Sequence, residues 1–569
     1  MTDKRAKNPP HTAPAFRRLL LSASFCISVG LGFSTTAPVA AEQAEEADFF
    51  LGVQTHFAQG WRLEFLDLLP KLGAPSLRDE LSWPRVERAR GQYDFSHDRA
   101  RYLGKAIERG IDPLLLFTDT NPRYDDGDTP YTPEAQAGLA RYITAVLDAY
   151  APGLRRIEIG NEFNSDDFVS GPFMQDRARY FAEMLQVVHD TVKAEHPETE
   201  ILCTGTHSIA IGFFRELFEQ GALASCDAIS LHLYRDQPEG LGPEIDRLRA
   251  LMEEFGGLLP IYVTEFGQWF DDPEDAPDFM LKTVAQMGEA GIAGAWWYAL
   301  LDQPWWPNMG LYRADPTAPM PAAASFRLLQ DKLLPHGRPR HIGASAADQI
   351  YAFGEPARAV IAWGAPAQLT VEGAERFLDA RGEPIAPVSE LDHAAVVILG
   401  DDLRVNVERD HGVVGTRYGY GLAPWSYHVI RPDGRESDLQ HIDWEWASFL
   451  GDPWLRPLLV SQDWISGARF DTGSYQAVER FTATEAGLHQ ISARWFLPED
   501  AESAGAVISI LHNGAEILRG TVGSEPFAFG PMTIHLAPGD QLDFAVAPGQ
   551  GDGDHAVRRE ITIHAPESD

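Results

Sequence analysis

Between Phe49 and about Leu334, short apolar runs alternate eight times with amphipathic segments, and nothing else in the chain constrains its fold as much. The runs are Phe50-Leu51-Gly52-Val53, Ser76-Leu77-Arg78, Pro113 to Phe117, Ile157-Glu158-Ile159-Gly160, Ile201-Leu202-Cys203, Ala228 to Leu231, Ile261-Tyr262-Val263 and Gly294-Ala295-Trp296-Trp297. Each is short and bounded by turn residues, as a buried strand is. Helical patterns lie between them. Thr132-Pro133 is an N-cap with proline at the first helical position, and it opens a stripe of Leu139, Tyr142, Ile143, Val146, Leu147 and Tyr150. A second stripe, Phe181, Met184, Leu185, Val188 and Val192, stops before Pro197. Strands and helices in strict alternation over this length predict a closed (β/α)8 barrel across residues 48–335. No glycine-rich phosphate loop follows the first strand, which argues against a dinucleotide fold.

The remaining chain changes character. His336-Gly337-Arg338-Pro339 reads as a linker, and the strand patterns beyond it predict a small β-sandwich over 341–435, although 409–445 carries no firm assignment. Residues 441–569 predict a second sandwich of the jelly-roll type. There, Val507 to Leu511 meets Glu516-Ile517-Leu518 across Asn513-Gly514, a strong hairpin signal. Leu542, Phe544 and Val546 alternate with Asp543 and Ala545, which predicts one buried and one wet face. The chain is therefore multidomain, a (β/α)8 barrel followed by two β-sandwiches.

A formal net charge of −36 makes nucleic acid a poor partner, because binding it rests on Lys and Arg neutralising phosphates. The first 41 residues stand apart. A basic start (Lys4, Arg5, Lys7, Arg17, Arg18), an apolar run from Leu19 to Phe33 and small residues ending in Val39-Ala40-Ala41 form the pattern of an export signal. No other stretch is long and apolar enough to span a bilayer, so a periplasmic or extracellular product with no membrane span is expected. Cys203 and Cys226 remain after the signal, as a pair or as two buried thiols. Neither has the spacing of a structural metal site.

Active sites of such barrels sit where strands end. The fourth strand ends in Gly160-Asn161-Glu162 and the seventh in Thr264-Glu265-Phe266-Gly267. Two carboxylates on nearly opposite strands can face each other across a substrate, which is what cleavage of a glycosidic bond requires. If Glu162 points inward, strand parity turns Glu158 inward as well, and Glu158 reads as a hydrogen-bonded barrel residue. His56 and His207 are plausible cleft residues, and Trp61, Trp83, Trp305 and Trp306 are candidate sugar platforms. Two acidic loops, 125–128 and 271–275, lack the ligand spacing of an EF-hand. If they rim the cleft, their field disfavours polyuronates.

These residues carry a resemblance. Asn161-Glu162 after strand four, Glu265 after strand seven, Arg78 ending strand two, Ser230-Leu231-His232-Leu233-Tyr234 and Trp297-Tyr298 are similar to the pattern of clan A glycoside hydrolases across residues 49–335. Trp83 with Gly91-Gln92-Tyr93-Asp94-Phe95, and Met309-Gly310-Leu311-Tyr312 before Pro321, resemble stretches of family 39 and its neighbours. The resemblance implies Glu162 as acid/base and Glu265 as nucleophile. It implies that Asn161 holds the sugar 2-hydroxyl, Tyr234 hydrogen-bonds the nucleophile and Arg78 keeps it ionised. It makes Trp297 the floor of the sugar subsite and sets His232 along it, with no cofactor and no metal. The terminal sandwich resembles accessory modules of secreted carbohydrate enzymes, which either bind glycan or pack on the barrel.

The expectation is thus an exported retaining glycosidase, endo-acting on a polysaccharide or oligosaccharide. The rivals are a transglycosylase and a catalytically idle glycan-binding or assembly protein of an envelope pathway.

Overall fold

The computed structural model describes residues 49–409, 411–497, 503–550 and 555–565, so the expected export signal lies outside the described residues. All eight apolar runs become staves of one closed parallel barrel. They are β1 (Phe50–Gln54), β2 (Ser76–Glu80), β3 (Asp112–Phe117), β4 (Arg156–Ile159), β5 (Glu200–His207), β6 (Ala228–Tyr234), β7 (Ile261–Gly267) and β8 (Gly294–Trp297). Each pairs with the next, and β8 closes on β1. A helix follows each strand: α1 (Leu68–Leu72), α2 (Arg101–Glu108), α3 (Pro133–Tyr150), α4 (Arg177–Glu195), α5 (Ile211–Glu219), α6 (Leu241–Glu254), α7 (Ala276–Glu289) and α8 (Pro321–Leu328). Thr132 caps α3 by accepting the Ala135 N–H at 3.3 Å.

Alternation along each strand explains the two-sided burial. Outward residues such as Leu115, Ile157, Ile229 and Val263 share one core with the helix stripes of Ile143, Val146, Leu185 and Val188. Inward residues Leu114, Leu202, Ala228, Tyr262 and Trp296 plug the barrel with apolar side chains. Closer to the strands' C-terminal ends the interior turns polar, with Arg78, Glu158, Ser230, His232 and Thr264 all buried.

Two strands break the alternation. Against β6, Cys203 of β5 faces Ile229 while Thr206 faces Leu231, so β5 carries one extra residue. β7 does the same: Val263 faces Leu231 but Glu265 faces His232. Each is a β-bulge, and a bulge moves every later side chain to the opposite face.

The β units differ in two respects from expectation. A seven-stranded sheet that includes β9 (Asp348–Phe353), β10 (Ala359–Gly364), β11 (Ala367–Leu378) and β12 (Val396–Glu408) folds over its own core of Ile350, Val360, Leu369, Ile398 and Leu403. Its other face, through Tyr351, Phe353, Ile361 and Trp363, merges with the barrel core. The boundary expected between 435 and 441 falls earlier, between Glu408 and Val413. β13 (Val413–Gly415) pairs with Val557–His564, and β14 (Trp425–Ile430) with Gly473–Thr482, both in the C-terminal sandwich. That pairing is long-range and has no local signature. Two sheets enclose the sandwich core of Val429, Val460, Ile491, Trp495, Ile508 and Phe544. The Asn513-Gly514 hairpin forms, with φ of 49° and 80° at the turn. The expected wet face of Asp543 is buried instead, because Arg480 pairs with it at 2.5 Å.

Cys203 and Cys226 form a disulfide, which closes the alternative left open by the sequence. Among the described residues no helix is long and apolar enough to cross a membrane.

Candidate active site

The first carboxylate is aimed by backbone conformation. After β4 the chain passes Gly160 at φ 86° and Glu162 at φ 51°, a left-handed conformation rare for glutamate. What holds it is the bulge in β5: the Glu162 N–H donates to the Gly205 carbonyl at 2.8 Å. Gly205 itself has φ 45°, and a Cβ there would stand 2.8 Å from Glu158 Oε1 and 3.1 Å from the Gly160 carbonyl. Only glycine fits. Glu162 so placed is 8% exposed, and its Oε1 lies 2.7 Å from His232 Nδ1.

The second carboxylate is aimed by the bulge in β7. With it, Thr264 and Glu265 both turn inward, and Thr264 Oγ1 donates to Glu158 Oε1 at 2.7 Å. One oxygen of Glu265 accepts from Arg78 Nη1 at 2.5 Å and the other from the Tyr234 hydroxyl. His232 Nδ1 stands 3.7 Å from that second oxygen. Polar atoms of Glu162, His232 and Glu265 all lie within 4.8 Å of one another. The expected meeting of the two acids occurs.

Arg78 organises the floor. It is wholly buried and spends its fork on four partners: Nε on Glu158 (2.6 Å), Nη1 on Gln54 (2.8 Å) as well as Glu265, and Nη2 on Asn161 Oδ1 (3.1 Å). Asn161 therefore keeps its amide N–H groups for another acceptor. Glu158 is the buried, hydrogen-bonded barrel residue expected, and the structure makes it the counter-ion of Arg78.

Burial pushes the Glu265 carboxyl up, but the charges of His232 and Arg78 and the hydrogen bonds from Tyr234 and Arg78 outweigh it, holding the group below its ordinary value. His232 follows the opposite balance. Burial pulls its imidazole down, yet Glu265 and Glu162 prevail and raise it. Burial and the Glu265 charge lift the Tyr234 phenol well above its usual value, so it stays a donor. Burial lowers His56 to about 4, leaving a neutral ring 3.2 Å from the Tyr298 hydroxyl.

A cavity of about 620 Å³ opens above this cluster. Arg78, Asn161, Glu162, Tyr234 and Glu265 all line it, as expected, and so do His56 and His207. His232 lies beneath the two acids, fully buried, where it touches them and not the cavity. Trp297 does not form the expected floor of the cavity. It faces outward from β8, is wholly buried against Phe266 (5.2 Å, edge-on) and donates to the Met309 carbonyl at 2.8 Å. Trp296 faces in, so the next inward position is Tyr298, and Tyr298 lines the cavity where Trp297 was expected. Simple alternation from the Trp296 plug was the signal that would have found it.

The platforms sort in the same way. Trp83 is core, stacked on Tyr124 and Tyr142 and bonded to Glu87. Trp61 packs edge-on against His56. Trp305 is 58% exposed, and Trp306, 45% exposed, lines the cavity stacked at 5.2 Å on Trp269, which carried no sequence signal. Neither acidic loop lines the cavity; Glu80 and Asp167 do. Asp125 instead ties down its own loop, accepting from the N–H groups of Tyr131 and Thr132.

Glu162, His232 and Glu265 are the one cluster among the described residues whose donors converge as a cation's ligands would. Both Glu265 oxygens are already taken by Arg78 and Tyr234, which suits an ion-paired carboxylate better than a ligand.

Fold and site together define a (β/α)8 barrel with two opposed carboxylates at its C-terminal mouth. Among solved structures similar to this chain, a family 39 glycoside hydrolase from Bacteroides cellulosilyticus agrees on the fold, with a TM-score of 0.52 and 20% identity over 63% of this chain and 82% of its own. A family 30 endoxylanase from Clostridium papyrosolvens matches with a TM-score of 0.46 and 12% identity, covering 62% of this chain and 97% of its own. A family 39 enzyme from Xanthomonas axonopodis pv. citri matches at 0.43 and 13% identity over 93% and 95%. No family model and no curated protein matches the sequence.

Proposed function

We propose that the protein is an exported retaining glycoside hydrolase that cuts a polysaccharide internally. The observation that carries this reading is the opposed pair: polar atoms of Glu162 and Glu265 lie within 4.8 Å, and Glu265 is ion-paired to buried Arg78. Carboxyl groups about 5–5.5 Å apart suit direct attack, whereas a wider gap leaves room for water. Glu265 attacks the anomeric carbon while Glu162 gives its proton to the departing glycosidic oxygen. Glu162, now ionised, takes a proton from water, whose oxygen displaces the ester on Glu265 and restores both groups. Asn161, with free amide donors beside Glu162, holds a sugar hydroxyl.

The exposed rings of Phe168, Trp269 and Trp306 around the cavity suit a chain of several sugars, hence internal cleavage. Glu80 and Asp167 on its walls disfavour polyuronates and admit neutral or amino sugars. The basic-apolar leader and the Cys203–Cys226 disulfide support export to an oxidising compartment.

The test incubates the leaderless protein with xylan, glucomannan, mixed-linkage β-glucan, chitosan and alginate and measures new reducing ends. Cleavage of a neutral or amino-sugar polymer with retained anomeric configuration by NMR, lost in Glu265→Gln, is the expected result. Activity intact in Glu265→Gln, or inverted product, overturns the mechanism; cleavage of alginate overturns the charge argument.

A further inference from the structure

The C-terminal sandwich reaches the loops that carry the site. Its strands β15 (Gln440–Asp443) and β16 (Ser448–Gly451) are joined by the turn Trp444-Glu445-Trp446-Ala447, which lies against the ends of β4 and β5. Asn164, two residues past Glu162, donates to the Glu445 carbonyl at 2.8 Å and to the His207 carbonyl at 3.1 Å. Its Oδ1 accepts the His207 N–H at 3.0 Å. Arg177 grips the Glu445 carboxylate, Ser208 donates to the Trp446 carbonyl, and Arg247 holds Asp443 at 2.6 Å. A Cβ on Gly212 would stand 2.6 Å from the Trp444 carbonyl, so turn and α5 meet backbone to backbone.

The two tryptophans of this braced turn differ. Trp444 is half-buried, with Arg456 over its face at 4.5 Å and Phe449 edge-to-face with it at 4.8 Å. Trp446 leans on Trp444 at 5.7 Å and leaves 53% of itself in water. Its backbone is one hydrogen bond from Ser208, the neighbour of the cavity-lining His207. The indole is thus fixed at the seam between sandwich and barrel, through Ser208 beside the cavity-lining His207. Flat aromatic faces stack on the C–H faces of sugars. A general acid sits on the leaving-group side of the bond it breaks, and this turn is bonded to the loop of the acid, Glu162.

We propose that Trp446 is a distal sugar subsite on the leaving-group side of the cleft, contributed by the C-terminal sandwich and occupied by a pyranose ring of the polysaccharide beyond the cut. This rests on the glycosidase reading above.

The experiment compares the parent, Trp446→Ala and Trp446→Phe on whichever polymer of the panel is cleaved and on the 4-nitrophenyl glycoside of the same sugar, which has no sugar on its leaving-group side. Loss of one stacking contact raises KM for the polymer about 3- to 10-fold with kcat unchanged, leaves the nitrophenyl glycoside unaffected, and is largely restored by Phe. An unchanged polymer KM, or an equal loss on both substrates, overturns the subsite. Gel retardation by xylan, glucomannan and β-glucan is measured in the Glu265→Gln background with and without Trp446→Ala. It reads binding without cleavage, so a parent that cuts nothing sinks the catalytic reading while the retardation still decides whether Trp446 binds sugar. Equal retardation overturns it; weaker retardation without the indole supports it.

Discussion

Replacing Tyr234 by Phe removes one hydroxyl and keeps a ring whose edges meet His232 and Tyr298 at 6.3 Å each, so packing is preserved. What is lost is the hydrogen bond to one Glu265 oxygen. A hydrogen bond to a charged group contributes about 1.5–3 kcal/mol, and each pKa unit corresponds to about 1.4 kcal/mol, so the Glu265 value rises by about one to two units. Arg78 still holds the other oxygen at 2.5 Å, so the carboxylate stays ionised near neutrality. The nucleophile must be ionised to attack. The acid limb of the kcat/KM profile therefore moves toward higher pH by about one to two units, with a small loss at pH 7. The stability sign is the same. A carboxyl held below its ordinary value contributes stability above that value and loses it as pH falls through the folded one. In Tyr234→Phe the loss sets in at higher pH, measurable as acid-induced unfolding. An acid limb that stays in place, or moves to lower pH, refutes the claim that Tyr234 keeps Glu265 ionised.

Glu162→Gln should cost about 10²–10⁴-fold in kcat/KM on the polysaccharide but little in kcat/KM on a dinitrophenyl glycoside, whose leaving group needs no proton; equal kcat/KM losses on both would remove Glu162 from the acid role. Gly205→Ala forces a Cβ within 2.8 Å of Glu158 Oε1 at φ 45° and should cost about 1–3 kcal/mol in denaturant unfolding, together with activity, because the same carbonyl holds Glu162. A fully active, equally stable Gly205→Ala protein would show that the β5 bulge does not position the acid.

Most of the barrel is legible in the chain because a strand buried on both faces and a one-sided helix leave different apolar periods. All eight runs become staves, and Arg78, Asn161, Glu162, Tyr234 and Glu265 converge. Trp297 departs from expectation because a tryptophan beside a strand end looks the same whether it faces the helices or the cavity until alternation is counted from an inward Trp296. Trp269 was missed because its worth comes from stacking on Trp306, 37 positions away in the chain. The boundary near Glu408 was hidden for a similar reason: β13 and β14 find their partners far along the chain.

Period and spacing, which act over a few residues, were enough to specify a closed ring of strands and to put an acid at the end of two of them. They do not say which way those acids point. By plain alternation Glu265 shares a face with Val263 and turns toward the helices; the extra residue in β7, defined only by its pairing with β6 and β8, turns it into the mouth. The bulge in β5 does the same service for Glu162 through the Gly205 carbonyl. A register shift is a relation between two strands, so it comes into being only when the barrel closes.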